Sequence, residues 1–389
     1  MKKRALSLLM TAMLMITVLP VYGVDAGTGI GIDITPEEFA PLIWMCDERR
    51  VVEDCVEAGR TSDCSNTLFE RTQNYAFEGE QIEWLVLVMD KNKIEQIQEV
   101  VGTIGDTQGE GNDIEVECAR TDRQGIEESC NARILEEELT EFNPDVMAYY
   151  ECIFTVETPD SMYGEYFVTI EAISTDGSAT MDENEFWFLN PVVAVTIDGD
   201  VVFEDVRPGA VSYSDTILVG NDADEGSGVL LDMFVSGTDF YDPDSSGAKC
   251  PVSNRLKLSQ DLRSQVDLGD GTASGATFTE DCNADAVGTT GTDNADHLCY
   301  FATSGAYDTI GNANSDAEGY RPIVYSDQFT RDFYNDAEII NDLQILGTYW
   351  AGNFLAPGAE IAVTFKLALP EPCVGDFSDG DIFFWGEAI

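Results

Sequence analysis

The 389-residue chain contains a single histidine, His297, which removes most proton-relay and zinc chemistry. A serine-type triad needs a histidine to carry the proton, and catalytic zinc sites mostly draw on two or three. His297 lies in the polar stretch from Asp293 to Cys299 and is expected to be a solvated loop residue. No glycine loop leads into a helix that would cradle a phosphate. The 73 acidic residues offer carboxylate pairs for glycoside hydrolysis everywhere, so none is singled out. We read no catalytic site and expect a protein that is not an enzyme.

Hard-oxygen chemistry is the sharper candidate, with calcium as the ion and no organic cofactor. Asp239, Asp242 and Asp244 are spaced so that a loop can turn several oxygens onto one cation. The run resembles the start of an EF-hand loop, but Ser253 stands where the bidentate glutamate belongs and no helices flank it. A loop site is therefore expected rather than an EF-hand. Asn221, Asp222, Asp224 and Glu225 form a second candidate, and Asp376, Asp379 and Asp381 a third. Asp182, Glu183 and Glu185, near the middle of the chain, could clamp two domains together. The competing reading of each cluster is a solvated acidic turn.

The charge balance narrows the partners. With 20 basic residues against 73 acidic, the formal net charge is −53, a field that repels nucleic acid and anionic lipid. Such crowding is tolerable in high salt, where screening shortens the repulsion, or with bound divalent cations. A hydrophobic share of 44 % and an aromatic share of 10 % point to a packed core rather than disorder.

Lys2, Lys3 and Arg4 precede an apolar run from Ala5 to Pro20 and then small residues, the pattern of a secretory signal over residues 1–23. That run is short for a membrane span, so export and release are expected, with no span after cleavage. Ten cysteines suit an oxidising compartment. Six precede Glu185 and four follow Gly209, so each half can close its own bridges. We expect Cys55–Cys64, Cys118–Cys130 and Cys282–Cys299 as local pairs, and Cys46–Cys152 and Cys250–Cys373 as domain-spanning ones.

The elements that would position these groups are strands. Glu185 to Gly209 is the most β-prone run; Asn190-Pro191 interrupts it and Asp198-Gly199 should turn a hairpin into Val201–Val206. Gln81 to Asp90 has apolar residues on both faces and reads as a central strand, returning antiparallel through Ile94 to Ile104. Thr35 and Glu38 form a capping box with Pro36 at the first helical position, good for one turn. Ile361, Val363, Phe365, Leu367 and Leu369 alternate with outward Thr364 and Lys366. The fold class is all-β: two tandem β-sandwiches, disulfide-stapled. Residues 24–75 form a lead and stapled loop on the first, residues 76–190 are the first sandwich, and 191–389 the second, with a long insertion over about 239–356.

Two stretches, Gly79 to Asp90 and Gly164 to Gly177, resemble immunoglobulin-like domains of prokaryotic surface proteins. Phe203 to Gly209, Ile217 to Asn221 and Gly237 to Phe240 resemble the opening of jelly-roll sandwiches in secreted filament subunits of the TasA and archaeal bundling-pilin kind. As a whole the chain resembles uncharacterised secreted surface-layer or filament-type proteins of small-genome archaea, which implies a cell-surface role. The expectation is a secreted structural protein that self-assembles into an extracellular layer or filament, cation-stabilised, with the lead Val24 to Ile34 adding as a strand to a neighbouring copy. The alternative is an adhesin or carbohydrate-binding module whose insertion offers Tyr300, Tyr307, Tyr320, Tyr325 and Trp350 for stacking on sugars.

Overall fold

The computed structural model describes residues 33–52, 69–71, 73–109, 112, 114–133, 138–181, 186–244, 250, 254–258, 282, 297–312, 315–325, 337–340, 344–345, 349–350 and 352–389. The expected signal segment, most of the lead, Cys55 and Cys64, the trio Asp182, Glu183 and Glu185, and much of the expected insertion lie outside them. By its contacts the chain divides into residues 1–38 and Phe39–Ile389. In the first unit, residues 33–38 are exposed and have no regular secondary structure. The expected helical turn at Thr35 does not form. With Phe39 also exposed, no apolar face is available to hold a helix that short in water.

The second unit is all-β; among the described residues the only helices are the 3-10 turns Ile94–Gln96 and Glu128–Arg133. Ten strands form one continuous ladder in its first half. Leu42–Val52, Gln81–Met89, Met147–Thr155 and Ile114–Arg120 lie side by side, followed by Ile97–Gly105, Gly164–Ser174 and Phe186–Leu189. Ile114–Arg120 makes the corner: residues Ile114 to Glu117 pair with Ile97–Gly105, and Cys118 to Arg120 with Met147–Thr155. The ladder thus folds over its own core. Trp84, on one side, lies 3.1 Å from the position a Cβ would take on Gly102, on the other, so this glycine lets the sheets approach.

Gln81–Met89 is central, as its doubly apolar pattern requires. Ile82, Trp84, Val86 and Val88 enter the main core, while Leu85, Leu87 and Met89 enter a smaller cluster on the reverse face. The return through Ile97 to Ile104 does not pair with it; those residues cross to Ile114–Arg120 and Gly164–Ser174. Leu42–Val52, expected within the lead and stapled loop, is instead a full strand beside Gln81–Met89.

That strand corrects two disulfides. Side chains alternate across a strand, so Ile43 and Met45 face the main core while Trp44 and Cys46 face the reverse cluster. Cys46 therefore meets Cys130, not Cys152. Cys118 and Cys152 are direct cross-strand partners, with Cα atoms 4.1 Å apart, and bond to each other. The expected Cys46–Cys152 and Cys118–Cys130 pairs are exchanged. In the second half Cys250 is bonded to Cys373 and Cys282 to Cys299.

The second half pairs a seven-stranded sheet with a four-stranded one. The first runs Val195–Asp198, Ile217–Asn221, Glu360–Ala368, Leu298–Ser304, Tyr307–Asp308; the second joins Val324–Tyr325, Leu231–Gly237, Phe354–Leu355 and Ile382–Ala388. Ile361, Val363, Phe365 and Leu367 meet Leu231, Met233 and Val235 in one core. The hairpin expected across Asp198-Gly199 does not form. Val195–Asp198 pairs with Ile217–Asn221 instead, and Val201, Phe203 and Val206 pack on the core from an irregular segment in which Asp205 has a positive φ of 52°. The region 239–356, expected as an insertion, supplies Leu298–Ser304 to the middle of the large sheet. Among the described residues no helix is long and apolar enough to cross a membrane.

Candidate functional site: an apolar groove and its acidic mouth

A cavity of about 790 Å³ opens between the two sheets of the second half. Ile217, Leu298, Phe365 and Leu367 from the large sheet form one wall, and Ile382 and Phe384 from the C-terminal strand form the other. Phe203 and Val206 line it from the irregular segment. Had that segment joined the sheet as a hairpin strand, its apolar residues would have been fixed by the ladder. The sequence signal of alternating Val201, Phe203 and Val206 was thus real burial without pairing. At the mouth Ile197 is 53 % exposed and Val374 70 % exposed, and Asp205, Asp376 and Asp381 add carboxylates to the lining. The bordering strand Val195–Asp198 pairs on one side only among the described residues. Gly380 closes the rim: a Cβ there would meet the Asp239 carbonyl and the Phe240 ring, each at 2.8 Å.

The structure disperses the three calcium candidates. Asp239 is buried, accepts a hydrogen bond from the Leu258 amide at 3.1 Å and lies 3.9 Å from the Arg255 guanidinium. Asp242 accepts from the amide of Asp244 at 3.0 Å, an internal turn bond, while Asp244 itself is exposed. Asn221 spends its amide on the carbonyls of Val229 and Leu355 and accepts from Ala223. Asp224 accepts from the Val192 amide and from the Tyr163 hydroxyl, tying the halves together. Asp222 and Glu225 are exposed. Asp376 and Asp381 reach the groove, whereas the Asp379 backbone bridges Tyr241. Among the described residues no three His, Cys, Asp or Glu side chains form a group that could hold a metal.

His297 is not solvated. It is 1 % exposed, its Nδ1 accepts from the Lys257 amide at 2.9 Å, and its carbonyl accepts from Ala368. Burial follows from its place at the head of Leu298–Ser304, a strand in the middle of the large sheet that no local pattern marks as interior. The aromatic candidates largely serve the core: Tyr300 is 1 % exposed and donates to the carbonyls of Glu338 and Ile339, and Tyr307 and Tyr325 pack against the same cluster.

Two of the buried carboxyls, Asp232 and Glu338, are held well above the usual carboxylate range, and no local pattern marks them. Asp232 is 6 % exposed and Glu338 3 %. Burial pushes Asp232 up to about 7, opposed by its hydrogen bond from Asn353 and aided by the charge of Glu387. Burial pushes Glu338 up to about 8, aided by the Asp232 charge and opposed by Arg321. Asp232 sits on the reverse face of Leu231–Gly237, and Glu338 bridges Phe234 of that strand. A single acid amid apolar strand residues carries no label that it will be buried.

No family model matches the chain, and no curated protein matches it either. Among solved structures, one from Eubacterium rectale, of a protein thought to be secreted, aligns at 8 % identity over 88 % of this chain and 96 % of its own, with a TM-score of 0.15. A likeness at that score carries no argument about fold or activity.

Proposed function

We propose that this is an exported structural protein that self-assembles outside the cell by seating an apolar strand of one copy in the groove of the next. The open groove between the two sheets carries the reading: it offers apolar walls, an exposed rim and a neighbouring strand whose outer edge is unpaired among the described residues. An added strand would satisfy that edge and bury the rim together. The occupant we assign is the lead from Val24 to Ile34, in which Ile30, Ile32 and Ile34 alternate with glycine and aspartate, the period a strand needs to face one wall. Ile34 is 79 % exposed. Copies with this charge repel one another, so assembly should need calcium or salt to screen the carboxylates.

Light scattering and negative-stain microscopy test this on the oxidised protein beginning at Val24, with calcium, with chelator, and with chelator in molar salt. Ordered sheets or filaments should form, and deletion of residues 24–34 should abolish them. Assembly surviving that deletion would remove the lead as the occupant. A monomer under all three conditions would remove self-assembly. Salt replacing calcium would mean screening, not specific cation sites.

A further inference from the structure

Lys366 breaks the pattern of its own strand. It stands at an outward position of Glu360–Ala368, yet its side chain is 3 % exposed. The turn around Asp316 to Tyr320 lies over it. The Lys366 Nζ is 2.8 Å from Asp316 Oδ2 and 2.7 Å from Glu318 Oε2, with the Tyr320 ring centroid 5.2 Å away. The Asp316 side chain is 7 % exposed, whereas that of Glu318 is 56 % exposed. The other carboxyl oxygen, Asp316 Oδ1, accepts from the backbone amides of Glu318 and Tyr320, both at 2.9 Å. The turn is further held by the Asp316 amide on the Tyr320 carbonyl.

We propose that Lys366 and Asp316 are joined autocatalytically by an amide bond between Nζ and Cγ, with Glu318 moving the protons. The parts of an acyl transfer are in place. The amine is held against the carboxyl group, toward the near-attack separations of about 3–3.5 Å. Two backbone N–H groups on Oδ1 stand where charge develops as the tetrahedral intermediate forms. Glu318 touches the nucleophile and can take its proton. The step balances without any co-reactant. The ammonium passes one proton to Glu318, and its lone pair attacks Cγ. The C–N bond forms and the C–Oδ2 bond breaks as that oxygen takes both lysine protons and leaves as water. An ammonium and a carboxylate become a neutral amide, so the bond also discharges a buried ion pair whose desolvation is otherwise a standing cost. The crosslink would tie the central strand to a turn 50 residues earlier.

Intact-mass measurement on the folded full chain, reduced just before analysis, tests this, followed by tryptic mapping. The expected mass is short by one water. Trypsin should fail to cut after Lys366, and the peptide ending at Arg331, which carries Asp316 because the Arg321-Pro322 bond resists trypsin, should appear linked to the one that spans Lys366. Glu318→Gln, at a half-exposed side chain, should fold and lower the crosslinked fraction at least tenfold. Asp316→Asn should lose ammonia in place of water, and Lys366→Arg should keep the full sequence mass. Full mass with normal cleavage after Lys366 in the folded wild-type protein overturns the proposal and leaves an ion pair. A missing water with Lys366 still cleaved overturns it equally, since the dehydration would lie elsewhere.

Discussion

The hydroxyl of Tyr75 donates to the backbone carbonyl of Ile389, 314 residues along the chain. Tyr75 belongs to the two-residue strand Tyr75–Ala76, which runs parallel to Phe186–Leu189. Because side chains alternate, Ala76 enters the core of the first half while the Tyr75 ring enters that of the second. One dipeptide is therefore shared by both cores, and its hydroxyl pins the end of the C-terminal strand. Tyr75→Phe should cost about 1 kcal/mol, the loss of one hydrogen bond. Tyr75→Ala should cost about 3–5 kcal/mol, because an aromatic side chain leaves a cavity. Denaturant unfolding of both variants checks this; an alanine variant no weaker than the phenylalanine one would sink the idea of a shared pin.

Asp232 and Glu338 make stability depend on pH in a stated direction. Both have folded-state values raised, to about 7 and about 8, above the ordinary carboxyl values near ~4. The folded state thus favours their protonated forms. Their contribution is fully present below about pH 4 and is lost as pH rises through 7 and 8. Glu387 and Asn353 face Asp232, and Asp232 and Arg321 face Glu338. We expect the melting temperature to fall between pH 5 and pH 9, with a loss on the order of 2 kcal/mol or more. The double variant Asp232→Asn with Glu338→Gln should flatten that slope. A slope unchanged in the double variant would assign it to the surface carboxylates instead.

The outline of this fold was readable where burial is periodic. Gln81–Met89 and Glu360–Ala368 announced themselves because alternate residues enter a core, and both occupy central places. What failed depended on partners far along the chain. Cys46 could not be assigned a face without knowing that Leu42–Val52 is a strand. Lys366 was placed outward because nothing local reveals a turn from 50 residues earlier lying over it. Val201–Val206 carried the apolar spacing of a strand, but its backbone is fixed by packing rather than by a ladder. The acidic clusters were visible as composition, yet their hydrogen-bond duties, such as Asp224 on Val192 and Tyr163, arise only from the assembled fold.

The exchanged disulfides give a direct chemical check. Peptide mapping without reduction should recover Cys46 with Cys130 and Cys118 with Cys152, and neither of the crossed pairs. The Cys46–Cys130 bridge spans 84 residues, and in the chain-entropy picture its removal should cost about 4 kcal/mol. Replacing both cysteines by serine and measuring unfolding tests the magnitude. A loss below 1 kcal/mol would mean that the unfolded chain is already compact in that region.

The groove predicts that its rim can be altered without harming the fold. Ile197 and Val374 line it yet are 53 % and 70 % exposed, so replacing either with lysine removes little buried area and should change stability by no more than about 0.5 kcal/mol. If the groove receives a strand, that same change places an ammonium against an incoming isoleucine and should prevent assembly. The lysine also lowers the net negative charge, which by repulsion alone would favour association. The two mechanisms therefore predict opposite signs. Light scattering of Ile197→Lys and Val374→Lys under assembling conditions separates them. Loss of assembly at unchanged melting temperature supports strand seating, and enhanced assembly would show that copies associate through screened charge, away from the groove.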